Sequence, residues 1–297
     1  MPIPIRRAVI PVAGFGTRFL PATKAQPKEM LSVVDKPVVQ YLVEEAVASG
    51  IEEIIFVTGR NKRAIEDHFD YSADLDQMLR ARGKTKTADA LRRLEGLARF
   101  VFVRQNEPRG PGDALLCVRN LLRDEPFAVL YGDDLVDAKV PCLRQLMDVY
   151  EEYGAPVCGL YRVASRDVTQ YGMIRGARAN RNKKLWTIHE MVEKPKMGEA
   201  PSRLAGIGKY IYTPELYRTL AGMTPKENME FYPTDAFNLY IKNNGVMYGY
   251  EFDGIRHDCG SKLGFLQAVI HYGRKHPDIG REFRAYLARF AEDAKRR

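Results

Sequence analysis

Gly14, Gly16, Arg18 and Lys28 lie in the stretch of this sequence with the clearest capacity for chemistry. Residues 8–31 begin with an apolar run that predicts a buried first strand, and the chain then turns through the two glycines. Glycines separated by one residue let the backbone bend sharply and approach a ligand without interfering Cβ atoms. Amide N–H groups in such a turn bind anions, and arginine and lysine side chains add positive charge. The stretch is therefore predicted to bind phosphate groups.

Two other glycine-rich phosphate-binding motifs are possible interpretations of such a turn, and the sequence argues against both. A dinucleotide fingerprint, G-x-G-x-x-G, requires a third glycine where Phe19 stands and a helix that Pro21 and Pro27 would interrupt. A P-loop, G-x-x-x-x-G-K-[ST], does not occur in the sequence. Taken alone, the glycines are equally compatible with a tight turn that binds nothing.

Polar side chains also follow several predicted strands further along the chain. Gln105 follows the run 100–103, and its amide has both the donor and the acceptor needed to read a pyrimidine edge. Asp133 and Asp134 follow the run 127–131, and Mg²⁺ prefers one or two carboxylates together with phosphate oxygens and water. A capped turn before the next helix is the alternative for these two acids.

Glu193 and Lys194 end another strand candidate, 184–192, and Pro195 fixes its exit. The carboxylate can accept hydrogen bonds from sugar hydroxyl groups, and the ammonium group can neutralise a phosphate. A solvated Glu-Lys turn is the alternative.

Strand-like and helix-like runs alternate over most of the 297 residues, which predicts an α/β fold with helices on both faces of a sheet. No internal repeat or low-complexity linker interrupts the chain, so residues 1–297 are predicted to form a single domain. Two parts depart from the alternation. Residues 71–99 are predicted to be a helical insertion packed on the domain or a partner subunit, and residues 262–297 a C-terminal helical extension.

Composition excludes several classes of protein. The net charge of +8 and the pI of about 9.2 suit anionic ligands, but dispersed basic residues and the lack of a recognised motif argue against nucleic-acid binding. No apolar run has the length of a membrane span, and the N-terminus lacks the apolar core of a signal peptide. Four widely spaced cysteines show no zinc or disulfide pattern. We therefore expect a cytoplasmic protein.

Residues 13–31 resemble the signature of the sugar-1-phosphate nucleotidylyltransferase family, A-G-x-G-T-R-x-L-P-x-T-K-x-x-P-K-E-M-L. The forms P-A-T-K and P-K-E-M-L are similar to those of the bacterial UTP–glucose-1-phosphate uridylyltransferases, or UDP-glucose pyrophosphorylases. The resemblance implies a three-layer α/β/α, Rossmann-like nucleotide-diphospho-sugar transferase fold with a mixed, mostly parallel sheet. It also implies in-line attack by glucose-1-phosphate on the α-phosphorus of UTP, giving UDP-glucose and pyrophosphate.

The resemblance assigns roles to residues that match the family pattern. It implies that Arg18, Lys28 and Lys194 are catalytic and that Asp133 and Asp258 bind Mg²⁺. It implies a sugar-phosphate site at Gly172, Glu193 and Lys194. It implies nucleotide binding by residues of the signature turn and of a later strand end: Ala13, Gly14, Phe15, Gly16, Thr17, Gln105 and Gly110. Asp113 and the pair Tyr232-Pro233 depart from the pattern.

Three alternatives remain open at this point. One is a sister nucleotidylyltransferase that uses another nucleoside triphosphate or sugar phosphate. The second is a metal-dependent glycosyltransferase, which would give Arg18 and Lys28 no role, and the third is a non-catalytic nucleotide-binding regulator. The expected partners are UTP, glucose-1-phosphate and their products, with no nucleic acid and no membrane. The chain is expected to form a homo-oligomer, a dimer or a tetramer, through its insertion or C-terminal helices.

Overall fold

A nine-stranded sheet forms the centre of the molecule. A computed structural model describes residues 2–122, 124–179, 183–224 and 229–296. The strands, in chain order, are β1 (Arg7–Pro11), β2 (Ser32–Val33), β3 (Lys36–Pro37), β4 (Glu53–Thr58), β5 (Arg99–Arg104), β6 (Phe127–Leu130), β7 (Asp134–Asp137), β8 (Val157–Arg162), β9 (Gly172–Arg178), β10 (Leu185–Glu193), β11 (Leu204–Tyr212), β12 (Met247–Glu251) and β13 (Ile255–Asp258).

Helices connect most of these strands. In chain order they are α1 (Val38–Ala48), α2 (Arg63–Phe69), α3 (Ala73–Ala81), α4 (Thr85–Glu95), α5 (Pro111–Leu116), α6 (Arg119–Leu122), α7 (Cys142–Tyr153), α8 (Pro214–Ala221), α9 (Pro233–Lys242), α10 (Lys262–Lys275) and α11 (Gly280–Arg296). Within the described ranges, none is long and apolar enough to cross a membrane.

The order of strands in the sheet is β5-β4-β1-β6-β11-β8-β12-β10-β9. β5, β4, β1 and β6 run parallel, whereas β11 is antiparallel to β6, β8 and β9. β12 is parallel to β8, and β10 is antiparallel to β12 and β9. The sheet is mixed, as predicted, but its mostly parallel part is confined to the N-terminal half. Apolar runs alone could not distinguish the directions of the later strands.

Helices cover both faces of the sheet because its strands are buried on both sides. In β1, Ala8 and Ile10 pack into one core with α1 and α7, whereas Val9 packs into a second core with α5 and α8. This alternation follows from the period of two residues in a strand. The predicted three-layer α/β/α arrangement is thus confirmed.

The two segments that departed from the alternation are helical. The segment 71–99 contains α3 and α4, which pack against each other, and the segment 262–297 contains α10 and α11. Arg297, the last residue of the predicted extension, lies outside the described residues.

Candidate active site

A cavity of about 530 Å³ lies where several strands of the sheet end. The amide of Tyr131, just beyond β6, donates to the carbonyl of Gly208 in β11. Strand β9 pairs with both β11 and β10, and this pairing places Gly172 between Gly206 and Glu193. The cavity therefore collects side chains from distant parts of the chain. Six predicted site residues line it: Arg18, Asp133, Gly172, Glu193, Lys194 and Asp258.

Asp133 forms an ion pair with Lys28, whose Nζ lies 2.5 Å from Oδ2. Burial raises the pKa of Asp133, but Lys28 and Arg18 outweigh this effect and hold it below its usual value. Burial likewise lowers the pKa of Lys28, and the negative charge of Asp133 more than compensates, so that this pKa is raised. Both groups are therefore charged at neutral pH, and each neutralises the other.

Asp258, at the end of β13, is held by two donors. The hydroxyl of Tyr171 donates to Oδ2 at 2.7 Å, and the amide of Gly260 donates to Oδ1 at 2.9 Å. Burial raises the pKa of Tyr171 to about 12, so this hydroxyl keeps its proton and remains a donor. Ser261 caps α10 by accepting from the amide of Gly264, which fixes the turn that follows Asp258.

Gly260 lies between the two carboxylates. A Cβ atom at this position would lie 2.6 Å from Oδ2 of Asp133 and 3.0 Å from Oδ1 of Asp258. The two aspartates therefore converge on a space that exists because residue 260 has no side chain.

The signature turn places Arg18 beside this space. Gly16 has φ of +66°, a conformation that favours glycine, and its carbonyl accepts a hydrogen bond from Thr23 at 2.7 Å. Arg18 then donates from Nη1 to the carbonyl of Gly260 at 3.0 Å. The first and last segments that contain predicted site residues thus meet at one point.

Gly14, Phe15 and Thr17 line a second cavity of about 290 Å³, together with Lys24 and Arg60 among others. The Phe15 side chain is 69% exposed, so the backbone of this residue and not its ring is embedded in the turn. Ala13, at the start of the turn, packs closely against Gly59. A Cβ atom added to Gly59 would lie 3.0 Å from the carbonyl oxygen of Ala13. Residues of the signature, 13–31, therefore line both cavities.

Gln105 and Gly110 line neither cavity. Gln105 is buried at the end of β5, and its Nε2 donates to Oδ2 of Asp113 at 2.7 Å and to the carbonyl of Gly110 at 3.3 Å. Gly110 has φ of +104°, and a Cβ atom there would lie 2.8 Å from the backbone nitrogen of Phe231. This turn is thus braced against the segment that precedes α9.

Lys194 adopts φ of +43°, which is strained for a residue with a side chain. Its Nζ lies 2.9 Å from the hydroxyl of Tyr232 and 4.7 Å from the centre of that ring. The neighbouring Glu193 accepts a hydrogen bond from Thr234 at 2.7 Å, and a Cβ atom on Gly172 would lie 3.1 Å from its Oε2. Tyr232, one of the departures from the family pattern, therefore positions a predicted catalytic side chain.

Sequence reasoning assigned no role to Arg256, which is buried beside the cavity. Its guanidinium group makes a two-point contact with Asp134, at 2.7 and 3.1 Å, and lies 4.7 Å from the ring of Tyr171. Asp134 also accepts from the amide of Gly208 at 2.9 Å, so both of its carboxylate oxygens have partners within the protein. One signal was available: Arg256 and Asp258, two residues apart on one strand, share a face.

Replacing Asp134 with alanine is expected to lower the free energy of unfolding by about 3–5 kcal/mol, because it leaves the Arg256 guanidinium buried without its carboxylate. Urea unfolding followed by circular dichroism measures this change. Glu107→Ala is the matched control, since its ion pair with Arg109 is exposed and should contribute little. Equal stabilities for the two variants would contradict the role given to the buried pair.

Comparisons with known proteins found one matching family model and several similar proteins. The family model described as nucleotidyl transferase matches residues 7–275. The chain is 45% identical to the UTP–glucose-1-phosphate uridylyltransferase YngB of Bacillus subtilis, over 95% of this chain and 94% of that protein. It resembles the solved structure of a UTP-bound UGPase from Acinetobacter baumannii with a TM-score of 0.88 and 36% identity, over 96% of this chain and 99% of that one. It also resembles a UDP-glucose pyrophosphorylase complexed with UDP-glucose, with a TM-score of 0.82 and 40% identity, over 92% and 100% of the two chains.

Proposed function

The chain belongs to the nucleotidyl transferase family, and we propose that it transfers a uridylyl group from UTP to glucose-1-phosphate, giving UDP-glucose and pyrophosphate. The observation that carries the proposal is the 45% identity, over 95% of the chain, to a relative with that activity in its name. On this proposal, residues 1–297 act as one nucleotidylyltransferase domain, and the reaction takes place in the cavity of about 530 Å³.

Asp133 and Asp258 are proposed to hold Mg²⁺. The space beside Gly260 that a Cβ atom would fill is flanked by one oxygen from each carboxylate, and oxygen is the donor that this cation prefers. Within the described ranges, no group of three or more histidine, cysteine, aspartate or glutamate side chains is suited to a metal ion. Two carboxylates suit a cation that keeps positions for substrate phosphates and water. When bound there, Mg²⁺ would supply positive charge that stabilises the reacting phosphate oxygens.

Positive side chains are proposed to bind the three phosphate-bearing groups of the reaction. Arg18 would hold the departing pyrophosphate, Lys28 would contact the triphosphate near its α-phosphate, and Lys194 would bind the phosphate of the sugar. No general base is required, because a sugar phosphate is already an anionic nucleophile near neutral pH. The chain therefore has to position two polyanions in line and neutralise their charge, which is the main task in phosphoryl-group chemistry.

The remaining roles concern recognition of the two substrates. Backbone groups of the signature turn are proposed to bind the nucleotide, and Gln105 and Gly110 are proposed to bind its pyrimidine ring. The residues of the turn are Ala13, Gly14, Phe15, Gly16 and Thr17. Gly172 and Glu193 are proposed to lie against the sugar. The contact of 3.1 Å between Glu193 and a Cβ atom added at Gly172 supports this, because a side chain there would displace the carboxylate that accepts from the sugar.

Replacing Lys194 with alanine is expected to raise the KM for glucose-1-phosphate by about tenfold or more, with little change in UTP affinity, because it removes the cation assigned to the sugar phosphate. Steady-state kinetics with each substrate varied in turn, and calorimetric binding of UTP, measure the two effects. Lys184→Ala is the control, since this lysine directly precedes β10 and pairs with Asp253. A loss of UTP affinity without a change for the sugar phosphate would show that this assignment is wrong.

The proposal as a whole is tested by pyrophosphate release from UTP and glucose-1-phosphate with Mg²⁺, with dTTP and galactose-1-phosphate in parallel reactions. Release with the first pair, dependent on both substrates, is the expected result. Faster pyrophosphate release with another pair of substrates would support nucleotidylyl transfer but show that the proposed base or sugar specificity is wrong. Binding of UTP without release of pyrophosphate from any pair would contradict the proposed function.

We also propose a homo-oligomer, a dimer or tetramer, in the cytoplasm. Large apolar side chains on α10 and α11 are 42–65% exposed, at spacings that place them along helix faces: Leu263, Leu266, Ile270, Tyr286 and Phe290. A second subunit would cover them. All four cysteines are free thiols, as suits a reducing compartment.

A further inference from the structure

The Gln105 side-chain amide is held in one orientation. Its two polar neighbours are Oδ2 of Asp113, at 2.7 Å, and the carbonyl oxygen of Gly110, at 3.3 Å. Both oxygens accept from Nε2, so the NH₂ group of the amide faces them. The flipped orientation would bring the amide oxygen against two other oxygens.

This orientation leaves the oxygen of the amide available. None of the described residues donates to Oε1 of Gln105, and the fully buried side-chain atoms without a partner are others: Asp76 Oδ1, Tyr212 OH and His257 Nε2. Oε1 is therefore not fully buried and keeps its capacity to accept a hydrogen bond at the carboxyl end of β5, while the NH₂ group donates to two protein acceptors. Gln105 presents an acceptor and no free donor.

An acceptor at this position distinguishes the pyrimidine bases. Uracil and thymine carry a proton on N3 and can donate it to Oε1, whereas N3 of cytosine is itself an acceptor. Two acceptors facing each other cannot form a hydrogen bond, and both lose their contact with water. A site built to accept a hydrogen bond discriminates strongly against a ligand that lacks the donor.

We propose that Asp113 is a specificity-determining residue: by fixing the Gln105 amide, it selects nucleotides whose base carries an N3 proton and rejects cytosine nucleotides. The inference rests on the proposed function, in which Gln105 reads the base. Asp113 itself does not touch the nucleotide, so it acts by positioning. Its place at the first turn of α5, braced through Gly112 against the carbonyl of Phe231 at 2.8 Å, keeps its carboxylate in register with Gln105.

The test is Asp113→Asn, which keeps the size of the side chain but can present either a donor or an acceptor, so that Gln105 is free to flip. We expect the ratio of kcat/KM for UTP to that for CTP, each with glucose-1-phosphate, to fall by about tenfold or more. The ratio for UTP to dTTP should stay unchanged, because both bases carry the N3 proton. If Asp113 had only a structural role, Asp113→Asn would not lower the UTP to CTP ratio while leaving the UTP to dTTP ratio unchanged.

Glu107→Gln is the matched control, since it removes an exposed carboxylate from the same loop without touching Gln105. An unchanged UTP to CTP ratio in Asp113→Asn, or an equal fall in the UTP to dTTP ratio, would overturn the inference. Asp113→Ala, which removes the acceptor altogether, gives the same test if the first variant is unstable. If the unaltered protein releases no pyrophosphate, the proposed function fails. In that case the affinities of the protein and its variants for UTP, dTTP and CTP are measured by calorimetry. The UTP to CTP and UTP to dTTP affinity ratios then test the inference in the same way.

Discussion

Replacing Asp133 with asparagine is expected to lower kcat for uridylyl transfer by about 10³-fold or more, because the site loses one of the two carboxylates proposed to hold Mg²⁺. The amide also removes the negative partner of Lys28, which lies 2.5 Å away. Asparagine has nearly the same shape as aspartate, so the change tests charge and not packing. Pyrophosphate release at saturating substrates, measured over a range of Mg²⁺ concentrations, gives the result.

The control for this variant is Asp148→Asn on α7, where the carboxylate is exposed and pairs with Arg144. It should retain full turnover, since surface ion pairs contribute little. Turnover of Asp133→Asn within about threefold of the unaltered protein at ordinary Mg²⁺, a difference of well under 1 kcal/mol in the barrier, would remove this carboxylate from the proposed metal site.

Replacing Lys28 with methionine is expected to have two opposite effects. Transfer should slow by about 10²- to 10³-fold, because the triphosphate loses a cation that stabilises its developing charge. Divalent metal binding without nucleotide should instead strengthen by about tenfold, because the ammonium group no longer competes for Asp133. Lys28 pairs with the carboxylate that a cation would need.

Mn²⁺ titration followed by electron paramagnetic resonance measures the second effect without any turnover. Lys36→Met is the control, because that lysine pairs with Glu44 away from the cavity and should leave Mn²⁺ affinity unchanged. Weaker Mn²⁺ binding in Lys28→Met would show that the lysine supports the carboxylates and does not compete with a cation for them.

The positions of the main groups could be anticipated from the sequence because they depend on strand ends. Gln105 and Asp133 follow β5 and β6, two strands that run parallel in the sheet. Glycines of the signature turn follow β1, which lies between them. Polar residues that follow parallel strands lie at the same edge of the sheet, so the predicted set could be placed together before any contact was known.

The contacts that fix these groups could not be anticipated in the same way. The pairing of Arg256 with Asp134 joins positions 122 residues apart and depends on the antiparallel pairing of β13 with β7. The directions of the later strands could not be predicted for the same reason, since the direction of β11 is set by its partners and not by its apolar residues. The sequence shows that Asp113 and Tyr232 depart from the family pattern. Only the structure shows that Asp113 accepts a hydrogen bond from the Gln105 amide and that Tyr232 contacts Lys194.

The hydrogen bond from Arg18 to the carbonyl of Gly260 spans 242 positions of the chain. During translation, the arginine and the glycine turn leave the ribosome long before β13 and its aspartate are made, although the sheet that supports them can already begin to form. All nine strands of the sheet precede Asp258 in the sequence. A chain that ended before Asp258 would therefore contain every strand of this sheet but would lack one of the two carboxylates proposed to hold Mg²⁺.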